Sequence, residues 1–342
     1  MSRRMAGALV AMIVGIAVTS AGAGAPQERP RAAKAGEPSA RANTPDGQPD
    51  LQGYWTNATY TPLERPAEFA GREFMTEAEA IAYQKKKEIE DNSQSKEDIH
   101  YDNVLWQTES YAKDVTARRT SVIYDPADGR IPPLTPAAQA RAAAQADAAR
   151  RRGPADAAEF RNLQERCISW GNEGPPMLGA TYYNNLQIVQ AARNVVIRHE
   201  LMHGVRIIPV DPTPHANVPI LHGNSRGRWD ANTLVVETTR FTSRTPFRAP
   251  PMTGRQDIFS GDQLKVTERS TRTGAGTIRY QFTLDDPGTW VRPWSGEIVM
   301  RKFEGPIFEY ACHEGNYGLA FILSAGRAAE GAKDQVLEHR IR

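Results

Sequence analysis

From Leu186 onward the chain consists of short runs rich in β-branched and aromatic residues, each ended by turn-forming residues, and this rhythm limits the possible folds most severely. The runs are Leu186–Gln190, Asn194–His199, Val205–Val210, Thr233–Thr239, Leu264–Ser270, Thr277–Leu284, Glu297–Lys302 and Ile307–Cys312. Asp230-Ala231-Asn232 and Gly274-Ala275-Gly276 supply turn chemistry between them. Consecutive strands with no helix between them pair antiparallel, because a parallel return needs a long crossover. The expectation is a mainly β protein: an antiparallel barrel of lipocalin-like appearance, or a sandwich.

Strand parity assigns faces. Ile278, Tyr280, Phe282 and Leu284 alternate with Arg279, Gln281 and Thr283, which predicts a half-buried strand. Leu264 and Val266 set an apolar face shared by Glu268, and Val299 and Phe303 set one shared by Arg301. Two inward charges imply a buried ion pair or a polar cavity floor. The opposite parity would place both in water.

The N-terminus resembles an export signal. Arg3 and Arg4 precede an apolar run of 13 residues, Ala6 to Val18, and then Thr19-Ser20-Ala21-Gly22-Ala23, a pattern signal peptidases accept. The run is too short to span a hydrocarbon core of about 30 Å. Cleavage after Ala23 is expected, with a periplasmic or secreted product and no stable membrane insertion afterwards. Removal of residues 1–23 leaves 40 basic against 40 acidic side chains, since only Arg3 and Arg4 are lost. A neutral chain argues against nucleic acid as partner. Cys167 and Cys312 are the two cysteines, and in an exported chain a disulfide is expected.

Residues 24–50 read as a disordered lead-in, 51–165 as an irregular, partly helical region packed on the β domain, 166–325 as that domain and 326–342 as a tail. Within the irregular region Thr76 and Glu79 form a capping box, Thr135-Pro136 opens a second helix, and a third is expected over 156–165. Thr120–Tyr124 is expected to be a short strand.

Two constellations carry possible chemistry. His199-Glu200-Leu201-Met202-His203 has the spacing of a zinc peptidase, in which a helix places both imidazoles on one face. Its β-forming neighbours deny the helix, and in a strand the two histidines stand roughly 13 Å apart. A metal ion is therefore not favoured, with His203, His215 and His222 as the weak candidates. The second constellation depends on the disulfide, which would join Trp170–Pro176 to His313–Gly318. His313, Glu314, Tyr317, Glu173 and Glu268 are candidate acid–base groups. Trp170, Asn172, Tyr182, Asn316, Arg301 and Trp290 are candidate ligand contacts. Trp290 and Trp294 would offer stacking surface or fill the core. The plainer reading of these loops is tight turns whose polar side chains satisfy backbone.

Pro62-Leu63-Glu64-Arg65-Pro66, Asn184–Gln190, Asp230–Thr239 and Tyr310–Gly318 resemble segments of secreted bacterial proteins of unassigned function, over most of the chain after Leu51. The resemblance implies bacterial export and brings no catalytic residues.

Two functional classes follow. One is a hydrolase, lyase or isomerase without an organic cofactor, acting on a small carbohydrate-like or aromatic molecule and marked by a strongly shifted pKa in its cleft. The other is a non-catalytic small-ligand barrel, marked by a cavity of roughly 300–1,000 Å³. A metal-dependent enzyme using histidines of the 199–222 region is a further alternative.

Overall fold

The computed structural model describes residues 43–92, 115–153, 155–170, 173–179, 183–242 and 261–341. The expected signal segment, most of the lead-in, Asn172 and Tyr182 lie outside these residues. In chain order the elements are β1 (Gly53–Thr56), α1 (Glu77–Asn92), β2 (Ile123–Asp125), α2 (Pro136–Arg150), β3 (Asn185–Ala191) and β4 (Asn194–His199). There follow β5 (Val205–Pro209), β6 (Asn224–Asp230), β7 (Thr233–Thr239), β8 (Lys265–Gly274), β9 (Thr277–Asp285), β10 (Trp294–Lys302) and α3 (Gly318–Ile341).

Nine strands form a nearly closed antiparallel barrel in the order β5-β4-β3-β1-β10-β9-β8-β7-β6. One edge of β10 pairs fully with β9. Its other edge is divided, with β2 against Ser295 and Gly296 and β1 against Arg301 and Lys302. β5 and β6 face each other across the remaining seam. There a side chain at Gly227 would meet Val210 at 2.9 Å and Ile208 at 3.0 Å, so glycine permits the close approach.

The inward face follows the alternation of β9: Ile278, Tyr280, Phe282 and Leu284 are all buried. Leu186, Ile188, Val195, Ile197, Ile208, Leu234, Val236 and Val266 meet them from the other strands. Trp294 packs edge-on against Phe282 and Trp290, with ring centroids 5.9 and 5.8 Å away. Trp290 is thus a core residue. Gly296 lies under the Phe282 ring, where an added Cβ would sit 2.4 Å from its tip.

Several local expectations change for identifiable reasons. In β10 the inward residues are Trp294, Ile298 and Met300, so Arg301 faces outward. Val299 and Phe303 are apolar on that outer face because the irregular region covers it. Thr59, Thr61, Ala117, Arg119 and Val122 lie against Glu297–Val299 there. Ile307–Cys312 is not a strand, and its Phe308 N–H is bonded to the Glu200 carboxylate at 2.9 Å instead of a ladder carbonyl. The helix expected over 156–165 is reduced to a single turn at Ala158–Phe160. Asn162 and Glu165 start a separate turn by bonding each other's backbone N–H at 3.3 and 2.8 Å. β6 and α3 are elements that strand rhythm does not announce.

The capping box is present: Thr76 N–H donates to Glu79 at 2.8 Å and Glu79 N–H to Thr76 Oγ1 at 3.3 Å. Pro136 is the first residue of α2, and Thr135 Oγ1 accepts the Ala138 N–H at 3.1 Å.

The glycine under Phe282 gives a direct test of packing. Gly296→Ala is expected to destabilise the protein by about 1–3 kcal/mol through overpacking. Adding Phe282→Leu should recover part of that loss in denaturant titrations. An additive double variant would mean that the two positions do not collide.

Candidate functional site

The polar residues of the interior gather at one end of the barrel, where β4 and β7 finish and β5, β6 and β8 begin. Arg206 and Ile208 point inward from β5, whereas Val205 and Ile207 are exposed. Arg206 forms a two-point ion pair with Glu268 of β8: Nη1 to Oε1 at 3.0 Å and Nη2 to Oε2 at 2.6 Å. Both side chains are buried. Tyr280 Oη donates to Glu268 Oε1 at 2.7 Å, and Arg206 Nη2 also donates to Ser225 Oγ at 3.3 Å. Ser225 Oγ in turn lies 2.9 Å from Thr238 Oγ1. Burial, with Glu268 alongside, pushes the Tyr280 phenol well above its ordinary pKa, so it acts as a donor.

Residues Glu173 to Leu178 close this end. All six are buried, and they form neither helix nor strand. A buried irregular segment must find partners for its backbone among side chains. Met177 N–H donates to Tyr280 Oη at 2.8 Å, and the Met177 carbonyl accepts from Asn57 Nδ2 at 3.3 Å. Pro175 and Pro176 have no N–H to satisfy. The Glu173 carboxylate accepts the Trp170 N–H at 2.9 Å and the Ser169 hydroxyl at 3.4 Å.

Two imidazoles complete the cluster. His199, at the end of β4, is buried, and its Nε2 has no hydrogen-bond partner among the described residues. Burial, with Arg206 and His222 nearby, pushes its pKa down to about 3, so the ring is neutral. His222 is half-buried at the rim. Burial lowers its pKa, the Glu173 charge opposes that, Arg206 adds to it, and a hydrogen bond to the Gly174 backbone favours the protonated ring. On the outer side of the same end Glu200 is buried, accepting from Asn185 Nδ2 at 2.8 Å and from Phe308 N–H. Burial raises its pKa.

The residues anticipated from sequence divide sharply. Glu173 and Glu268 belong to the cluster, but the cation that meets Glu268 is Arg206, not Arg301. His313, Glu314 and Tyr317 are exposed on the loop between the disulfide and α3. The disulfide is present, with Cα atoms 5.7 Å apart. It brings Tyr310 against Trp170 and Tyr183, with ring centroids 6.4 and 5.1 Å away, and Asn316 Nδ2 lies 3.2 Å from Cys167 Sγ. Of the histidines, His199 ends a strand, and a single turn at Leu201–His203 follows, so no helix carries the pair. The His203 side chain lies outside the described residues. His215 bonds the Asn224 carbonyl at 2.8 Å and lies 3.9 Å from the Glu237 carboxylate. Among the described residues no three His, Cys, Asp or Glu side chains are grouped to hold a metal. No helix among them is long and apolar enough to cross a membrane.

Sequence reading missed Arg206, His199 and Tyr280 as polar site residues. For Arg206 a signal existed, since it shares parity with Ile208. Val205 and Ile207 masked it by making the opposite face equally apolar. No known protein-family model matches the chain. No curated protein matches it in sequence.

The cluster has measurable consequences. The neutral His199 ring binds its proton only near pH 3 when folded and near 6.5 when unfolded. Stability from this residue is therefore complete above about pH 6.5 and is lost as pH falls from there toward 3. Replacing His199 by Gln should flatten the pH dependence of the denaturation midpoint over that window, and an unchanged slope would show that other groups set it. Arg206→Met should cost about 3–5 kcal/mol by leaving the buried Glu268 with no cation beside it and only the Tyr280 hydroxyl as donor. The Arg206→Met/Glu268→Leu double variant should regain most of that loss in urea melts.

Proposed function

We propose that the protein is exported and works at the closed, polar end of the barrel as an enzyme using acid–base chemistry, without an organic cofactor, on a small polar substrate. One observation carries this reading: His222 stands partly buried at the barrel end with the Glu173 carboxylate within electrostatic reach. Depressed below the ordinary histidine range, His222 is neutral at pH 7 and available as a general base. Glu173 stabilises the imidazolium that forms once a proton is taken, and the ring returns that proton to the product. Near His222, the Nε2 of His199 has no partner among the described residues and is a further hydrogen-bonding position. Reaction class within hydrolase, lyase and isomerase is left to the substrate.

The barrel interior is filled by large buried side chains, among them Tyr280, Phe282, Trp294, Ile278, Leu186 and Met300. That favours catalysis at a rim over storage of a ligand in a hollow barrel. Export is supported by the basic–apolar–small pattern over residues 3–23 and by the Cys167–Cys312 disulfide, which persists in oxidising compartments.

Purified mature protein should turn over at least one member of a panel of 4-nitrophenyl esters and glycosides. Rates should fall on the acid side as His222 protonates, below its ordinary pKa near 6.5. His222→Gln and Glu173→Gln should each lower kcat by about 100-fold or more. Activity that survives both substitutions would remove this pair from the chemistry, and a panel without any turnover would remove ester and glycoside hydrolysis from the reading.

A further inference from the structure

The disulfide gathers an aromatic surface beside Glu173. Tyr310, two residues before Cys312, meets the Trp170 ring edge-on at 6.4 Å and the Tyr183 ring edge-on at 5.1 Å. Trp170 is also the backbone donor to the Glu173 carboxylate, so this aromatic group begins at the acid–base pair. Phe308, fixed by its N–H on Glu200, is 59 % exposed, and the other three rings are each partly exposed. None of the four belongs to either buried apolar cluster of the molecule. Tyrosine and tryptophan rings that are half wet, with a polar tip, are suited to contacts with a ligand. A second observation concerns Tyr183, whose φ of +54° lies in the left-handed region, which a bulky side chain rarely adopts. Such backbone persists where the surroundings over-determine it, and it clusters at ligand-binding places.

The polar neighbours decide what kind of molecule this surface takes. Asn316 is exposed, with its Nδ2 3.2 Å from Cys167 Sγ, and His313 and Glu314 are exposed on the same turn. A flat aromatic ligand would use the ring faces and leave these groups idle. A pyranose uses both, laying its C–H face on the rings and turning its hydroxyls to amide, imidazole and carboxylate. Over residues 303–317 the acids are Glu304, Glu309 and Glu314, with His313 as the single base, so an anionic polymer is repelled. The rings come from two segments, 170–183 and 308–310, which offers more than one sugar a place. With His222 and Glu173 taken as the reacting pair, we propose that Trp170, Tyr183, Phe308 and Tyr310 form the binding surface for their substrate, an uncharged oligosaccharide. The surface holds the sugar units beyond the one on which the pair acts, and the disulfide keeps its two halves together.

Hydroxyl-radical footprinting of the unaltered mature protein tests the surface directly, with cellohexaose, maltohexaose, xylohexaose and mannohexaose as probes. At saturation at least one of them should lower the oxidation of Trp170, Tyr183, Phe308 and Tyr310 severalfold. Phe74 and Phe321, 49 % and 66 % exposed elsewhere on the molecule, should be unaffected. Protection of none of the four rings by any of these sugars would overturn the proposal, as would equal protection at Phe74 and Phe321. Calorimetric titration then separates stacking from folding. Tyr310→Ala and Phe308→Ala should each weaken the best-bound sugar by about tenfold, while Tyr310→Phe keeps its affinity. Phe308→Ala alters an exposed side chain, so it reports on binding even where Tyr310→Ala unfolds, and full affinity in folded Phe308→Ala would sink the idea. Sugar binding without hydrolysis counts against His222 and Glu173 and leaves the surface in place. Ester turnover without sugar binding leaves the pair and removes the surface.

Discussion

The buried ion pair between Arg206 and Glu268 organises one end of this molecule. Two charges in a low-dielectric interior are tolerated only when each is paired and its remaining hydrogen-bonding capacity is used. Here Tyr280 and Ser225 provide that, and Thr238 extends the network to β7. The pair spans the barrel from β5 to β8, across the seam where β5 and β6 meet. It therefore ties the two ends of the sheet together as well as furnishing the polar floor. Tyr280 then presents its oxygen to Met177, which seats the closing segment, and that segment carries Glu173 to His222. Each later feature needs the one before it.

The same arrangement explains the protonation states. Burial lowers the pKa of both imidazoles, and the fixed positive charge of Arg206 adds to that effect. His199 has no carboxylate among the groups acting on it and stays neutral. His222 differs because Glu173 stands near and the rim is wetter. Two chemically identical side chains thus acquire different roles from position alone.

Much of the barrel was legible because its strands obey simple alternation. The β9 run placed four inward residues correctly, and the run from Leu264 put Glu268 inside. Legibility failed where a face is apolar for a second reason. Val299 and Phe303 are covered from outside by the irregular region, so hydrophobicity could not tell inside from outside on β10. β6 failed in the opposite sense: its inward positions are Ser225, Gly227 and a half-buried Trp229, which leave room for Ile208 and Val210 from the neighbouring strand. The site was half legible. Cysteine pairing led to Glu173, but the loop at His313–Tyr317 turned out exposed, because the disulfide joins those segments at their base without folding the second one inward. Contacts such as Arg206 with Glu268 join residues 62 positions apart, and no local pattern encodes them.

The placement of β1 has a consequence for how the chain reaches this state. Only four residues long, β1 is the keystone between β3 and β10, with Trp55 opposite both Leu186 and Lys302. The first strand made by the ribosome must therefore wait for the last before the cylinder can close. Such long-range pairing makes folding slow and places closure after synthesis is complete. Until then the β3–β5 and β6–β10 meanders stand as two open sheets with exposed edges at β3 and β10.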